Sequence, residues 1–392
     1  MKLLDKFREV AELRRGLGDT DPTRVVIEGL RSATEGIIDG RPTILAGTNN
    51  YLGLTFDAEG IAAGQQALAN AGTGTTGSRM ANGTYAGHRA LEAELAEFYG
   101  YPHAVVFSTG YAANLGALAA LLGPGDAVLL DADAHASLFD ASRLCPARVF
   151  TFRHNDPVSL DKRLRRLGEQ AERTLVVIEG LYSVLGDRAP IAEIVEVKAR
   201  HGACLFVDEA HSLGVLGEQG RGLAEEAGVL DEVDFIVGTF SKSLGTTGGF
   251  CVSRHEELAL FPYRSRPYMF TASPSPAVVE CTRSALRAIR SRPELKERLW
   301  RNSNRLYQGL IQLGLQVGEV PSPVVGIRLG DRAGALAAWN RMLREGVYVN
   351  LMLPPAAPAG ASLLRMSVSA AHTDEQIDRI VRAVRRAVTD AG

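Results

Sequence analysis

The chain has 392 residues, of which 43 are basic and 45 acidic, so its formal net charge is -2. This near balance gives no electrostatic reason to expect nucleic acid or an anionic membrane as a partner. A content of 46% hydrophobic and 22% charged residues excludes a disordered chain or a small scaffold held by disulfides. The four cysteines lie far apart and form no CxxC or Cys/His pattern. They therefore predict no metal site, and they suit the reducing cytoplasm.

The N-terminal residues are charged throughout and lack the apolar core of a signal peptide. The longest stretch without a charged residue, 98–125, contains Pro102, Asn114 and Pro124. Such a stretch does not form a continuous apolar helix, so no integral membrane segment is expected.

Residues 1–48 predict an N-terminal arm, with a charged helix over 3–15 and short strand candidates around Ile44 and Leu45. Residues 49–284 predict a large domain, because helical stretches such as 61–69 and 90–95 alternate with short apolar runs. The runs are 104–107, 127–130, 149–152, 175–178, 204–207 and 235–237. Continuous apolar runs are typical of strands covered on both faces. The alternation predicts an α/β fold with a mainly parallel sheet.

Residues 285–392 predict a small C-terminal α+β domain. Its predicted helices are 293–313, 333–344 and 373–389, and its predicted strands are 323–329, 347–350 and 363–368. The proline-rich stretch 354–358 is predicted to be a loop.

The residues that carry chemistry follow the predicted strands of the large domain. In an open α/β sheet, ligands bind where the strands end at their carboxyl edge. Asp208 closes the run 204–207, and Lys242 lies just past the run 235–237. Pyridoxal phosphate needs such a pair, a lysine that forms a Schiff base and a carboxylate that keeps the pyridinium nitrogen protonated. Taken alone, Asp208 is also explained as a helix cap and Lys242 as a solvated lysine.

Three further features lie at similar positions. The segment 108–114 follows a strand and opens an apolar helix, an arrangement in which backbone N–H groups bind phosphate. Thr239 and Ser241 carry hydroxyls beside the candidate lysine, and His135 follows the run 127–130 and could stack on a flat ring. Each feature has an ordinary structural alternative: a connection, turn hydrogen bonding or helix capping. Together they predict one site.

On these residues the chain resembles the α-oxoamine synthases, pyridoxal-phosphate enzymes that condense an amino acid with an acyl thioester and release carbon dioxide. The resemblance runs from 50–54 to 364–373, nearly the whole chain. Its most specific motifs are Val207-Asp208-Glu209-Ala210-His211-Ser212, Gly238-Thr239-Phe240-Ser241-Lys242-Ser243 and Gly77-Ser78-Arg79. Within the family, the supporting segments 107–111, 131–137, 182–187, 245–250 and 266–273 look most like those of soluble bacterial enzymes that use L-serine. The resemblance implies a fold-type I pyridoxal-phosphate transferase.

The resemblance also implies roles for individual residues. Lys242 would form the Schiff base and act as the base, Asp208 would pair with the ring nitrogen, His211 would contact the ring oxygen and His135 would stack on the ring. The other implied cofactor contacts are Gly110, Tyr111, Ser183, Thr239, Ser241, Thr271 and Ala272. Thr271 and Ala272 match a segment that reaches into the neighbouring subunit's site, so a homodimer is implied. Asn50 and Arg365 match positions that hold the substrate carboxylate, and His88 is either a substrate contact or a packed histidine.

The implied reaction joins L-serine to a long-chain acyl-CoA and gives 3-ketodihydrosphingosine, CoA and carbon dioxide. Two departures leave the substrates open. Leu353 stands where the bacterial enzymes have an arginine, and the pair Ala86-Gly87 before His88 is small. One alternative is a family member that uses alanine or glycine, such as an 8-amino-7-oxononanoate synthase or a glycine C-acyltransferase. The other is a non-catalytic subunit, which would be expected to have lost Lys242 or Asp208.

Overall fold

The computed structural model describes residues 2–18, 21–354, 357 and 360–389. The described strands are β1 (Gly29–Leu30), β2 (Glu35–Ile38), β3 (Arg41–Leu45), β4 (His103–Phe107), β5 (Ala127–Asp131), β6 (Arg148–Phe152), β7 (Thr174–Glu179), β8 (Cys204–Asp208), β9 (Phe235–Thr239), β10 (Gly249–Ser253), β11 (Val324–Leu329), β12 (Val347–Tyr348), β13 (Asn350–Met352) and β14 (Ser362–Ser367). The described α-helices are α1 (Phe7–Arg15), α2 (Ala58–Ala71), α3 (Ala86–Tyr99), α4 (Gly110–Leu121), α5 (Ala136–Leu144), α6 (Pro157–Leu167), α7 (Ile191–Arg200), α8 (Leu223–Glu226), α9 (Arg266–Met269), α10 (Pro276–Ser291), α11 (Glu294–Gln312), α12 (Arg332–Arg344) and α13 (Asp374–Thr389).

The chain divides into two compact units, residues 49–299 and residues 1–48 with 300–392. The domain boundaries expected at 48 and 284 stay a prediction. Among the described residues, no helix is both long and apolar enough to span a bilayer.

The unit of residues 49–299 is built on a seven-stranded sheet in the order β4-β10-β9-β8-β7-β5-β6. The strands from β9 to β6 are parallel neighbours, whereas β10 runs antiparallel to both β4 and β9. All six apolar runs identified in the sequence form strands, so the mainly parallel sheet is confirmed. The sequence did not predict β10, which contains the short apolar run of Phe250, Cys251 and Val252.

Every residue of β5, β7 and β9 is buried. Side chains such as Leu129, Val177 and Phe206 are wholly inaccessible; burying each one stabilises the fold by about 1.5–3 kcal/mol. The strand β6 is different, because it lies at the edge of the sheet and four of its five residues are partly or largely exposed. This run is also the one that Thr151 interrupts, so it is not a continuous apolar run like the other five.

The other unit contains two small sheets, β1-β2-β3-β12 and β11-β14-β13. The sequence predicted strand structure near Ile44 but not the β1–β2 hairpin. Part of the expected N-terminal arm therefore belongs to a sheet. The prediction of a single strand over 347–350 is also wrong. This segment divides into β12, which pairs with β3, and β13, which pairs with β14. Of the proline-rich loop expected over 354–358, Pro355, Ala356 and Pro358 lie outside the described residues.

Candidate active site

A cavity of about 280 Å³ lies within the unit of residues 49–299, at the carboxyl ends of its parallel strands. The register aligns Glu179 at the end of β7 with Asp208 at the end of β8, and β9 ends next to them at Thr239. Because the strands are parallel, their carboxyl ends lie at the same edge of the sheet, and side chains that are far apart in sequence lie close together there. The cavity lining includes eight predicted site residues, namely Gly110, Tyr111, His135, Asp208, His211, Thr239, Ser241 and Lys242.

Asp208 is 5% exposed and is held by two hydrogen bonds. Its Oδ2 accepts from Asn114 Nδ2 at 2.8 Å, and its Oδ1 accepts from the backbone N–H of Ala210 at 2.9 Å. Sequence reasoning missed Asn114. The available signal was a lone amide within the otherwise apolar helix α4, because a buried amide in such a helix needs a polar partner.

His135 both lines the cavity and caps a helix. Its Nδ1 accepts a hydrogen bond from the backbone N–H of Ser137 at 3.2 Å, at the start of α5, and lies 2.8 Å from Ser137 Oγ. Asn114 Nδ2 also donates to Ser137 Oγ at 2.9 Å, so Asn114 and Ser137 connect His135 to Asp208. Burial lowers the pKa of His135 and the charge of Lys242 lowers it further, whereas Asp208 opposes the shift. The imidazole is therefore neutral near pH 7, which suits packing against a flat ring.

Glu179 is a second cavity residue that sequence reasoning missed. It is 3% exposed, and its Oε1 has no hydrogen-bond partner among the described residues. Burial raises the pKa of Glu179 well above its usual value, and the nearby Asp208 raises it further. An acidic residue that ends an apolar run was a visible signal, the same one that identified Asp208.

One end of the cavity is rich in donors. Helix α4 begins at Gly110, where Thr109 Oγ1 accepts from the backbone N–H of Ala112 at 3.0 Å. Thr239 Oγ1 lies 2.9 Å from Ser241 Oγ and donates to the carbonyl of Gly248 at 3.0 Å. A Cβ added at Gly110 would lie 2.8 Å from Thr239 Cβ, so only glycine allows this close approach. A helix N-terminus flanked by hydroxyls is a suitable place for a phosphate.

His211 is 4% exposed, and Tyr51 is wholly buried beside it. The Tyr51 hydroxyl lies 2.6 Å from His211 Nδ1. Tyr51 belongs to the segment that carried part of the resemblance, although nothing in the sequence connects it with His211.

Other predicted site residues are not among those that line this cavity. Ser183 is half-buried after β7, and Thr271 and Ala272 are exposed. Asn50 is buried, and its Nδ2 donates to Thr55 Oγ1 at 2.8 Å. His88 is 1% exposed; its Nδ1 accepts from the backbone N–H of Tyr85 at 3.0 Å, and its Nε2 lies 2.9 Å from the carbonyl of Pro274.

Arg365 lies in β14, in the unit of residues 1–48 and 300–392. It is 6% exposed, and its Nη1 donates to Asn350 Oδ1 at 3.3 Å across the β13–β14 pair. The roles expected for Ser183, Thr271, Ala272, Asn50, His88 and Arg365 stay predictions.

The cavity residues fit pyridoxal phosphate. The donors at the start of α4 suit its phosphate, the buried carboxylate of Asp208 suits a protonated ring nitrogen, and Lys242 supplies a primary amine in the same space. The missing Cβ of Gly110 lets Thr239 pack closely against the start of α4.

The family model of aminotransferase class I and II matches residues 42–384. The chain belongs to this family. It is similar to a serine palmitoyltransferase of Caulobacter vibrioides, with 56% identity over 97% of this chain and 95% of the relative. Two solved structures each superpose with a TM-score of 0.96 and cover 99% of this chain and 98% of their own. One is a serine palmitoyltransferase of Sphingomonas wittichii at 50% identity, and the other is SPT with the PLP internal aldimine at 46%.

These relatives confirm the resemblance to the α-oxoamine synthases and the fold-type I architecture that it implied. They also agree with the branch of the family indicated by the sequence, the one whose members use L-serine.

Proposed function

We propose that this protein is a pyridoxal-phosphate-dependent acyltransferase that condenses L-serine with a long-chain acyl-CoA. The products are 3-ketodihydrosphingosine, CoA and carbon dioxide. The observation that carries the proposal is the meeting of Lys242, Asp208, His135 and the donors at the start of α4 in one cavity of a chain whose relatives are named serine palmitoyltransferase. When bound, pyridoxal phosphate supplies an electron sink for the negative charge that develops at the amino-acid Cα.

Lys242 is proposed to hold the cofactor through its Nζ and, once the amino acid has taken its place, to act as the base. Its Nζ would take the proton from the substrate Cα and later return a proton to the product. Proton transfer by a positioned side chain contributes about 10²–10⁴-fold to a rate. The position of Lys242 just past β9, in the same cavity as Asp208, supports this assignment.

Asp208 is proposed to keep the ring nitrogen protonated. The two hydrogen bonds from Asn114 and Ala210 fix its carboxylate in a buried setting. Glu179 lies nearby, and burial together with the charge of Asp208 raises the pKa of Glu179 well above its usual value, which opposes a second negative charge beside Asp208. The neutral imidazole of His135 would cover the ring face and exclude water from it.

The N–H groups of Gly110 and Tyr111 and the hydroxyl of Ser241 are proposed to bind the cofactor phosphate. Thr239 would join them by turning its hydroxyl hydrogen from the carbonyl of Gly248 to the phosphate. His211 would donate to the ring oxygen. Ser183 is proposed as a further contact to the cofactor.

Substrate contacts and assembly are also proposals. Asn50 and Arg365 are assigned to the amino-acid carboxylate and His88 to a substrate contact, although both ring nitrogens of His88 already have partners. Thr271 and Ala272 are proposed to reach the partner's site in a homodimer, for which their exposure leaves them available. A cytoplasmic location stays a prediction from the sequence.

The test is a competition assay read by mass spectrometry. Purified, cofactor-loaded protein receives equimolar L-serine, glycine and L-alanine with short-, medium- and long-chain acyl-CoAs, and Lys242→Ala serves as the inactive control. We expect a dominant long-chain 3-keto amino alcohol derived from serine. A ketone derived from glycine or alanine would move the protein to another branch of the family, and Leu353 and Ala86-Gly87 would be the first positions to exchange. No product with any pair would contradict the proposed reaction.

A further inference from the structure

A buried tyrosine contacts one ring nitrogen of His211. Tyr51 is 0% exposed and His211 is 4% exposed, so water does not compete for this contact. The Tyr51 hydroxyl lies 2.6 Å from His211 Nδ1, and the two rings are tilted by 57° with centroids 6.0 Å apart. The contact is therefore a hydrogen bond between the hydroxyl and the ring nitrogen rather than a stacked pair of rings.

The same hydroxyl has a second neighbour, Asn49 Oδ1, at 3.4 Å. That distance is at the long limit of a hydrogen bond, whereas 2.6 Å is well within the range of a strong one. The 2.6 Å contact requires one hydrogen between the two atoms. When the hydroxyl supplies that hydrogen, Nδ1 is the acceptor, and because a neutral imidazole has one acceptor nitrogen and one donor nitrogen, the ring hydrogen is on Nε2.

We propose that Tyr51 is a positioning residue that fixes His211 as the tautomer with its hydrogen on Nε2. His211 lines the cavity, so the bond to Tyr51 makes this imidazole a hydrogen-bond donor rather than an acceptor on its cavity side. The ring of pyridoxal phosphate has an oxygen that accepts such a bond best when it is ionised. Tyr51 therefore favours the ionised oxygen of the bound cofactor without touching it, an inference that rests on the proposed function.

The first test reads the tautomer directly, on the purified full chain before cofactor is added. With isotopically labelled histidine, the ring-nitrogen chemical shifts of His211 should report hydrogen on Nε2, and the signal is assigned by its loss in His211→Asn. In Tyr51→Phe we expect a mixture of both tautomers. A wild-type His211 with its hydrogen on Nδ1, or an unchanged shift in Tyr51→Phe, would overturn the proposal.

The second test uses the cofactor-loaded protein and its absorption. We expect Tyr51→Phe to raise, by about tenfold, the ratio of the short-wavelength form of the bound cofactor, whose ring oxygen carries a hydrogen, to the long-wavelength form, whose ring oxygen is ionised. We expect its Kd for pyridoxal phosphate to rise about ten- to a hundredfold, because a hydrogen bond to a charged group is lost. Tyr99→Phe is the matched control: Tyr99 is equally buried, but its hydroxyl has no partner among the described residues, so the band and the Kd should not change.

A double-mutant cycle separates positioning from a general loss of packing. If Tyr51 acts through His211, the double variant Tyr51→Phe/His211→Asn should have the same Kd for pyridoxal phosphate and the same absorption as His211→Asn alone. Equal thermal midpoints of Tyr51→Phe and Tyr99→Phe serve as the check on folding. Additive effects would overturn the proposal. A wild-type protein that takes up no pyridoxal phosphate would instead overturn the proposed function, and the tautomer measurement would still decide the role of Tyr51.

Discussion

Two buried carboxylates at opposite edges of the seven-stranded sheet have very different surroundings. At the edge opposite the cavity, Asp234 accepts from Lys198 at 3.1 Å, from Arg254 at 2.9 Å, from His255 at 2.9 Å and from the backbone N–H of Leu205 at 2.7 Å. These bonds outweigh burial, which alone would raise the pKa of Asp234, so its pKa is lowered.

At the carboxyl edge, Asp208 has two protein donors and faces a cavity, and its neighbour Glu179 has an oxygen without a partner among the described residues. The two edges thus contain the same residue types, but these residues serve different purposes. Polar groups that satisfy one another hold the fold together, and polar groups that face a cavity are available to a ligand. The variants below test that distinction.

The largest effect on turnover is expected for one of two lysines, Lys242, and the other, Lys198, is the comparison. Lys242→Ala should reduce turnover by more than about a thousandfold and abolish the cofactor absorption band, because it removes both the attachment point and the base. Its thermal midpoint should stay within a few degrees of the wild type. Lys198→Ala is the matched control: it should lower the midpoint and leave turnover of the folded protein nearly intact. The turnover rate and thermal midpoint of both variants test this prediction, and full activity in Lys242→Ala would contradict the role assigned to Lys242.

Asp234→Ala should destabilise the protein by about 3 kcal/mol, because it leaves a buried lysine without its charge partner. The folded protein should keep the cofactor spectrum of the wild type. Asp161→Ala removes a carboxylate that also has three basic neighbours, Arg165, Arg200 and His201, but at the surface. It should cost less than about 1 kcal/mol. Denaturant unfolding of the two variants gives both values, and equal losses would remove the distinction between the two edges.

The sequence predicted the cavity side of this comparison better than the opposite edge. Asp208 and Lys242 were identified because charged residues that follow apolar runs must lie at the carboxyl edge of a parallel sheet. Asn114 and Tyr51 act through contacts with residues far along the chain, and periodicity carries no information about such pairs. The strand β10 was missed for a related reason, since antiparallel pairing of a short run depends on its neighbours in the sheet.

A charged histidine lies close to the cavity. His154 Nδ1 is 2.8 Å from Asp131 Oδ1, His154 Nε2 is 2.7 Å from Asp187 Oδ2, and the ring of Tyr182 meets the imidazole edge-on. Burial alone would lower the pKa of His154, but the two carboxylates raise it to about 10. These contacts link the ends of β5 and β6 to the turn after β7, and the loop after β5 leads to His135.

The stability that His154 contributes depends on pH in a definite direction. The folded pKa of about 10 lies above the ordinary value of 6.5, so the stabilisation is complete below pH 6.5 and is lost as the pH rises through 10. His154→Asn should cost about 2–4 kcal/mol at pH 6 and much less at pH 10. Thermal melting of wild type and variant across this range measures the difference. A constant difference for His154→Asn would contradict the assignment.

The smallest expected effect concerns neighbouring residues at the start of α4. Tyr111 is 43% exposed and its hydroxyl donates to Asp140, so Tyr111→Phe removes one exposed hydrogen bond and leaves the backbone N–H in place. If the backbone binds the phosphate, the Kd for pyridoxal phosphate should rise no more than about two- to threefold. Gly110→Ala keeps the N–H as well, but its Cβ would lie 2.8 Å from Thr239 Cβ and narrow the space for the phosphate, so its Kd should rise more than about tenfold. Cofactor titration by fluorescence compares the two, and a larger loss for Tyr111→Phe than for Gly110→Ala would mean that side chains, not the helix N-terminus, determine affinity there.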